Sequence, residues 1–270
     1  MTRDAGATSA VFLFYRARPI GDHMKKAAMT LLRALRNLSL LVEAKFDRSF
    51  LAADVPMSEI VSHQKWQDHL YEIGNKPGMR ILEIGSREVT GISSAREKFA
   101  KAEYVGFDYY PGNNVDVTGD AHKLSSYFGP DERFDLIYSS ASFEHFAMPW
   151  IVAVEISKLL RVGGIVFVET HFSYSSHERP WHFFQFSDMA LRVLFCEELG
   201  FECIEAGLSN PIVGRFSSHA DGYLKNKPVR GLYCHSEYLG RKIRDVETFD
   251  WAAVDLTNVT GKTKYPEPEL

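Results

Sequence analysis

Three acidic residues stand at the ends of short apolar runs, in positions that suit the binding of a nucleoside. Glu83 lies in ILEIGSREVTG, Asp108 ends VGFD, and Asp120 follows a glycine in GDA. A carboxylate at a strand end can accept hydrogen bonds from both hydroxyls of a ribose, and another can meet the amino group of an adenine. A glycine next to the first carboxylate lets a ligand approach the main chain. The sequence therefore predicts a nucleoside site built on strand ends.

The glycine pattern after the first run argues against two common nucleotide-binding loops. A dinucleotide fingerprint needs G-x-G-x-x-G, whereas residues 85–91 read GSREVTG and have no second glycine at the required position. The phosphate-binding loop is missing too, because no Gly-Lys-Ser or Gly-Lys-Thr follows. NAD is therefore disfavoured as a cofactor.

Histidines lie just past predicted strand ends, where they could move protons near neutral pH. One, His145, follows the strand predicted at residues 134–139. A densely aromatic and polar segment at residues 169–184 holds three more: His171, His177 and His182. Loops in this position carry substrate contacts in open α/β sheets, so we expect a substrate pocket here. The alternatives are aromatic residues that pack under the next helix and histidines bonded to the main chain.

Spacing argues against a metal site in this segment. Three histidines and Glu178 could gather around an ion, but the histidines lack the i, i+4 spacing of a helical zinc site. Pro180 would interrupt any helix through them. The three cysteines form no CxxC pair. We therefore expect no metal ion, and an activity that survives chelation.

Short apolar strands alternate with helices after the turn at Pro77 and Gly78. Strands are predicted at residues 79–84, 104–108, 114–117, 134–139, 165–170 and 201–206. Helices are predicted at 151–160 and 189–199, and residues 89–100 are predicted to form a loop followed by a helix. This alternation predicts a Rossmann-like α/β fold, a doubly wound and mostly parallel sheet with helices on both faces. The segment after residue 208 has no clean pattern and could complete the sheet with an antiparallel pair.

Two helices are predicted before that turn, at residues 24–50 and 57–73. The first has an apolar stripe between lysines and arginines. This pattern is more typical of a helix that packs its stripe against a core and exposes its charged face to solvent than of a helix that binds a membrane. We therefore divide the chain into an N-terminal helical extension or lid (residues 1–76), a core (77–210) and a C-terminal extension that completes or caps the core (211–270).

Composition and charge limit the class of protein. The chain is 45% hydrophobic and 24% charged, which is typical of a globular protein. Its net charge of −4 lacks the basic excess of proteins that bind nucleic-acid phosphates. No apolar run approaches the length of a membrane span. We expect a soluble, cytoplasmic protein with neither nucleic acid nor membrane as a partner.

Five motifs in a fixed order extend this interpretation: ILEIGSREVTG, YVGFDYYPG, DVTGDAHKL, FDLIYSSASFEHF and LLRVGGIVFVET. With them, the segment from residue 79 to about residue 206 resembles class I S-adenosylmethionine-dependent methyltransferases. It resembles most the branch that methylates small molecules and sugars in biosynthesis. One departure is Arg87, which stands where a second glycine is common in that family.

The resemblance implies an enzyme with S-adenosyl-L-methionine as its cofactor. The cofactor-binding residues that it implies are Glu83, Gly85, Ser86, Asp108, Tyr109, Asp120, Ala121 and Ser139. The candidates for a general base are His145, His171 and His177. The candidate substrate-binding residues are Tyr174, Glu178, Trp181 and His182.

The expected reaction is methyl transfer to a small-molecule or sugar acceptor, with O-methylation favoured over N-methylation. The alternatives are an RNA or protein methyltransferase and a non-catalytic nucleoside-binding module. In the family that the sequence resembles, added N-terminal helices cover the site or form a dimer contact, so a lid or a homodimer is expected here.

Overall fold

The computed structural model describes residues 21–46, 51 and 54–262. The chain divides into two units, Met1–Arg48 and Ser49–Leu270. Within its described residues the first unit holds one helix, α1 (Asp22–Phe46), as its apolar spacing predicts. The final residues of the predicted helix, 47–50, lie outside the described part. Most large apolar side chains of α1 are exposed.

The second unit is built on a seven-stranded sheet. Its strands are β1 (Arg80–Ile84), β2 (Glu103–Asp108), β3 (Val117–Thr118), β4 (Phe134–Ser140), β5 (Leu160–His171), β6 (Phe201–Pro211) and β9 (Tyr233–Lys242). The order is β3-β2-β1-β4-β5-β9-β6, and only the pairs that involve β9 are antiparallel. A separate two-stranded sheet joins β7 (Gly214–Arg215) to β8 (Pro228–Val229). The predicted mostly parallel sheet is confirmed.

Helices cover both faces of the large sheet. The remaining helices are α2 (Trp66–Gly74), α3 (Ala95–Lys98), α4 (Pro149–Leu159), α5 (Asp188–Leu194) and α6 (Leu256–Thr260), with 3₁₀ turns at Ala121–Tyr127, Phe143–His145 and Trp251–Ala253. Successive residues of β1 point to opposite faces. Ile81 joins the core under α2, whereas Leu82 and Ile84 join the core under α4 and α5. The fold is therefore a doubly wound, Rossmann-like α/β fold, as predicted.

The helix predicted at residues 57–73 is only partly formed, because the main-chain N–H groups of residues 58–61 bond to β6 instead of to a helical turn. The main-chain N–H of Ser58 donates to the carbonyl of Leu208 at 3.1 Å. The Glu205 carboxylate accepts the next three main-chain N–H groups, of residues 59–61, at 2.9–3.1 Å. These external acceptors remove the need for helical hydrogen bonds, and the helix begins only at Trp66.

The glycines at 163 and 164 lie within β5, just after the helix predicted at residues 151–160. The helix α4 ends at Leu159, and β5 starts at the next residue. The register between β4 and β5 shifts near this point, and Gly163 has a φ of +86° that suits glycine. The buried amine of Lys242 donates to the carbonyls of Ser157 and Leu160 at 2.5 and 2.7 Å, which links β9 to the end of α4.

The segment after residue 208 contributes β9 to the sheet, between β5 and β6. The domain boundaries at residues 76 and 210 stay a proposal. Within the described residues, no helix combines the length and apolarity that crossing a bilayer requires.

A buried acid, Glu237, lies in the middle of β9. Its carboxylate accepts hydrogen bonds from the hydroxyls of Ser58 (2.9 Å) and Ser209. Burial raises the pKa of Glu237 to about 7, although both hydroxyls oppose the shift. The folded protein therefore keeps a proton that the unfolded chain releases at lower pH.

We predict that Glu237→Gln stabilises the protein above pH 7. The free energy of unfolding of the native protein should fall as pH rises from the ordinary carboxyl range to about 7, because the folded state binds more protons there. The variant should lack this slope, and its free energy of unfolding should exceed that of the native protein by roughly 3 kcal/mol above pH 7. Urea unfolding between pH 4 and 8 measures the difference, with the exposed Glu202→Gln as control. Parallel pH profiles for Glu237→Gln and the native protein would contradict the prediction.

Candidate active site

The carboxyl ends of the parallel strands place the predicted site residues along one edge of the sheet. Ile84, at the end of β1, pairs with Phe107 on one side and with Ser139 on the other. Asp108 is the last residue of β2, and His171 is the last of β5. Segments that leave these strands therefore meet at a common edge, as ligand sites of such sheets require.

The turn after β1 depends on Gly85. Its φ is +86°, and a Cβ there would lie 2.0 Å from the Ser142 hydroxyl. The N–H groups of Gly85 and Ser86 both donate to the carbonyl of Phe107, at 2.8 and 3.1 Å. The Ser86 hydroxyl donates to the Asn114 carbonyl at 3.0 Å. A side chain at position 85 would therefore displace the segment that follows β4.

Glu83 lies below this turn, in a network of phenols that the sequence analysis did not find. Its carboxylate accepts hydrogen bonds from the hydroxyls of Tyr138 (2.8 Å) and Tyr104. The Asn114 amide donates to the Tyr104 hydroxyl at 2.9 Å and to the Ser86 carbonyl at 3.0 Å. Burial raises the pKa of Glu83 against the lowering effect of these hydrogen bonds. Glu83 therefore supports the turn from beneath.

Asp108 is paired with Arg87, the residue that departs from the glycine pattern. The Arg87 Nε atom lies 3.3 Å from Oδ1 of Asp108, and the Arg87 main-chain N–H donates to Oδ2 at 3.3 Å. Oδ1 also accepts the main-chain N–H of Tyr110 at 3.0 Å. The guanidinium lies 5.4 Å from the centre of the Tyr110 ring. A ligand hydroxyl that approached Asp108 would therefore share this carboxylate with Arg87.

Asp120 is held by His122, which the sequence analysis did not single out. Oδ1 of Asp120 accepts the His122 main-chain N–H at 3.0 Å and lies 2.7 Å from its Nδ1. The Met148 main-chain N–H donates to Nε2 of His122 at 3.1 Å, so Nδ1 is the protonated nitrogen of a neutral ring. Burial pushes the pKa of Asp120 up, but the bonds from His122 outweigh it and lower the pKa. Asp120 also caps the 3₁₀ turn that starts at Ala121.

Ser139 is buried at this edge, whereas Tyr109 is exposed. The buried Ser139 hydroxyl donates to the Ile84 carbonyl at 2.9 Å and so joins β4 to β1. The exposed Tyr109 ring lies 6.3 Å from the Trp181 ring, centroid to centroid. One predicted cofactor residue thus neighbours one predicted substrate residue.

A group of six histidine rings lies past the ends of β4 and β5. The group, called here the histidine cluster, comprises His63, His145, His171, His177, His182 and His235. The His177 ring centroid is 4.6–5.4 Å from those of three neighbours: His145, His171 and His182. His63 and His235 stack at 4.0 Å, and His235 lies 5.7 Å from His171. No local spacing could reveal His63 and His235, because they come from the segment before α2 and from β9.

Main-chain carbonyls fix the protonated nitrogen of two of these rings. Nδ1 of His145 lies 2.6 Å from the Trp181 carbonyl, and Nδ1 of His177 lies 2.9 Å from that of Ser175. A carbonyl only accepts, so both rings donate from Nδ1, and in the neutral ring Nε2 carries the lone pair. His182 differs, because its Nδ1 accepts the main-chain N–H of His177. Desolvation and the neighbouring histidines lower the pKa of His182.

A buried carboxylate, Glu144, lies against the cluster. Its Oε1 is 2.8 Å from Nδ1 of His171, and its Oε2 accepts the Thr170 hydroxyl at 2.7 Å. Burial raises the pKa of Glu144, but the neighbouring His171 imidazole outweighs burial and lowers it. Its main-chain carbonyl accepts the N–H groups of Phe183 and Phe184 at 2.9 and 3.2 Å, which holds the aromatic segment against this turn.

A second carboxylate, Glu169, contacts His63 at the other end of the cluster. Its Oε2 lies 2.8 Å from Nδ1 of His63, and its Oε1 accepts the Ser140 hydroxyl at 2.9 Å. The hydrogen bond with Glu169 raises the pKa of His63 against its desolvation. Burial lowers the pKa of His235 beside it. The pKa values of these two stacked rings are therefore shifted in opposite directions.

The predicted substrate residues lie along the segment that carries these histidines. Tyr174 stacks on His171 at 4.5 Å, and Trp181 is 54% exposed. Glu178 lies exposed in the turn before Trp181, and the acid that faces the histidines is Glu144 instead. Phe186, which follows this segment, packs in the core. This agrees with the alternative that aromatic residues here pack under the next helix.

Residues 59–206, more than half of the chain, match a family described as a methyltransferase domain. A comparison with curated proteins gives no match.

Solved structures of low similarity overlay on part of the chain. The YcgJ protein of Bacillus subtilis is 15% identical, with 67% of this chain and 100% of that chain covered and a TM-score of 0.46. A SAM-dependent methyltransferase from Archaeoglobus fulgidus is 16% identical, with coverage of 66% and 93% and a TM-score of 0.45. One from Aquifex aeolicus is 13% identical, with coverage of 66% and 89% and a TM-score of 0.43. The family assignment rests on the family match and not on these overlays.

Proposed function

We propose, from the premise that this chain belongs to the methyltransferase-domain family, that it methylates a hydroxyl group of a small molecule or sugar. As a member of that family it is an S-adenosylmethionine-dependent enzyme. The proposal adds the kind of acceptor and the atom that receives the methyl group. The observation that carries it is the histidine cluster beside the edge of the sheet, because a hydroxyl must lose its proton as it reacts whereas a neutral amine is already nucleophilic.

The residues at the strand ends fit the cofactor. The turn at Gly85 and Ser86 requires glycine at position 85, because its φ is positive and the Ser142 side chain fills the space that a Cβ would take. We assign Asp108 to the ribose hydroxyls, Asp120 and Ala121 to the adenine side, and Glu83 to the methionine side through its support of the turn. Bound S-adenosylmethionine supplies a methyl group already activated by the sulfonium.

The histidine cluster supplies the proton acceptor in this proposal. Nε2 of His145 and Nε2 of His177 each carry a lone pair when neutral, because their Nδ1 atoms donate to carbonyls. Nε2 of His145 is the first candidate to take the acceptor's hydroxyl proton, while the oxygen forms its bond to the methyl carbon and the bond from that carbon to the sulfonium sulfur breaks. Tyr174 and Trp181 supply exposed aromatic surface for the acceptor. The net charge of −4 favours such an acceptor over RNA.

The finer assignments are proposals of the same kind. We place the enzyme in biosynthesis and in the cytoplasm, with residues 1–76 as a lid or a homodimer contact. An RNA methyltransferase would show an affinity that falls steeply with salt, and a protein methyltransferase would label a polypeptide. A non-catalytic module would bind S-adenosylhomocysteine without turnover. Formation of S-adenosylhomocysteine from S-adenosylmethionine over a panel of sugars and phenols distinguishes turnover from binding alone.

We predict that Asp108→Ala weakens binding of S-adenosylhomocysteine by about 2 kcal/mol, or roughly 30-fold, because hydrogen bonds to a charged group are lost. Arg87→Ala is the matched variant. It removes the partner of the carboxylate while the carboxylate stays. Calorimetry should therefore show no loss of affinity for Arg87→Ala. Unchanged affinity in a folded Asp108→Ala protein would refute the ribose assignment.

We predict that one histidine of the cluster acts as the base, with His145 as the first candidate. His145→Ala should lower turnover by about 100-fold while the affinity for S-adenosylhomocysteine stays constant. His171→Ala and His177→Ala are measured beside it, and the exposed His219→Ala serves as control. Near-normal turnover in all three cluster variants would contradict the prediction. The base would then lie elsewhere, with Glu144 as the next candidate, or catalysis would rest on proximity without a base.

A further inference from the structure

We propose that Glu144, His171 and His177 bind one divalent transition-metal ion of the zinc class. The inference goes beyond the proposed function and does not depend on the identity of the acceptor. The possible ligand atoms, one from each residue, all lie within 4.8 Å of one another. Glu144 and His171 are buried and His177 is half-buried. The set therefore joins two imidazoles and one carboxylate at a place that solvent reaches from one side.

The pair formed by Glu144 and His171 lacks the alignment of an ordinary hydrogen bond. Oε1 and Nδ1 are 2.8 Å apart, yet neither buried atom has a hydrogen-bond partner of acceptable geometry. Two ligand atoms that each lie about 2.1 Å from a shared tetrahedral zinc ion are roughly 3.4 Å apart, so Oε1 and Nδ1 need only a small separation to bind one ion. A shared ion satisfies both atoms without requiring that one point its proton at the other.

His177 has the orientation that a metal ligand requires. Its Nδ1 donates to the Ser175 carbonyl at 2.9 Å, which leaves Nε2 free to coordinate. A hydrogen bond from the second ring nitrogen to a carbonyl is the usual support of a ligating histidine. The ligand is therefore already held in the tautomer that binding requires.

The donor types select the kind of ion. Mg²⁺ and Ca²⁺ prefer oxygen ligands, whereas two imidazoles with one carboxylate suit zinc and its neighbours in the transition series. Three protein ligands leave a coordination position open, as in catalytic zinc sites. The expectation of no metal considered only residues 171–182. The folded chain instead takes Glu144 from another loop.

The neighbouring group of His63, Glu169 and His235 also has the composition of a metal site. Its carboxylate is already used, because Oε2 is bonded to His63 and Oε1 to Ser140. Nδ1 of His235 lies 3.1 Å from the side-chain amide nitrogen of Asn210. We therefore assign the ion to Glu144 and its partners, and the second group serves as the control.

The test is metal binding to the full chain, after EDTA treatment and removal of the chelator. Titration with Zn²⁺ by calorimetry, and with Co²⁺ by visible absorption, should show one equivalent bound. His177→Ala should weaken Zn²⁺ binding at least about 10-fold, since it removes one of three ligands from a half-exposed position. Glu144→Gln should do the same, and His177→Ala remains decisive if the buried Glu144→Gln fails to fold. His235→Ala should bind Zn²⁺ as the native chain does.

Three results would overturn the assignment: no Zn²⁺ binding, equal affinity in His177→Ala, or a loss that follows His235→Ala instead. Absence of binding would mean that Glu144 and His171 form a plain ion pair. Calorimetry with S-adenosylhomocysteine on the same preparation keeps the two proposals apart. Cofactor binding without Zn²⁺ binding rejects only the metal site, and Zn²⁺ binding without cofactor binding rejects only the proposed function.

Discussion

The parallel pairing of β1, β2, β4 and β5 is the constraint on which the site depends. Each of these strands delivers a functional segment at its carboxyl end, and the pairing brings the ends to one edge. The antiparallel strand β9 then enters beside β5 in a register that sets His235 opposite His171. A shift of one residue would send each side chain to the other face of the sheet.

The edge has two parts of different construction. The cofactor part joins the turn at Gly85, where Ser142 leaves no space for a Cβ, to the carboxylates of Asp108 and Asp120. The histidine part is made of side chains that main-chain carbonyls orient. Carboxylates in both parts are paired with basic groups: Asp108 with Arg87, Asp120 with His122, Glu144 with His171, and Glu169 with His63. The partner in each pair holds its carboxylate in one orientation at the site.

Local patterns in the sequence predicted most of the strands and the positions of the three carboxylates near strand ends, since an apolar run and the residue that ends it are adjacent in the chain. The strand predicted at residues 114–117 forms only at Val117–Thr118, and the helix predicted within residues 89–100 forms only at Ala95–Lys98. Contacts between distant segments could not be predicted in this way. The helix predicted before Trp66 fails because Glu205, in β6, accepts the N–H groups that a helix would use. The phenols around Glu83 and the pair of His63 and His235 likewise need the fold to bring them together.

The central claim is that the edge formed by the turn after β1 and the ends of β2 and β3 binds the cofactor. Hydrogen–deuterium exchange with and without S-adenosylhomocysteine tests this claim directly. Amides at a ligand site exchange more slowly when the ligand binds, because local opening of the structure becomes rarer. The account predicts slower exchange in residues 85–88 and 108–123 and little change in residues 192–203. Protection confined to other segments, with none in residues 85–88 or 108–123, would contradict it.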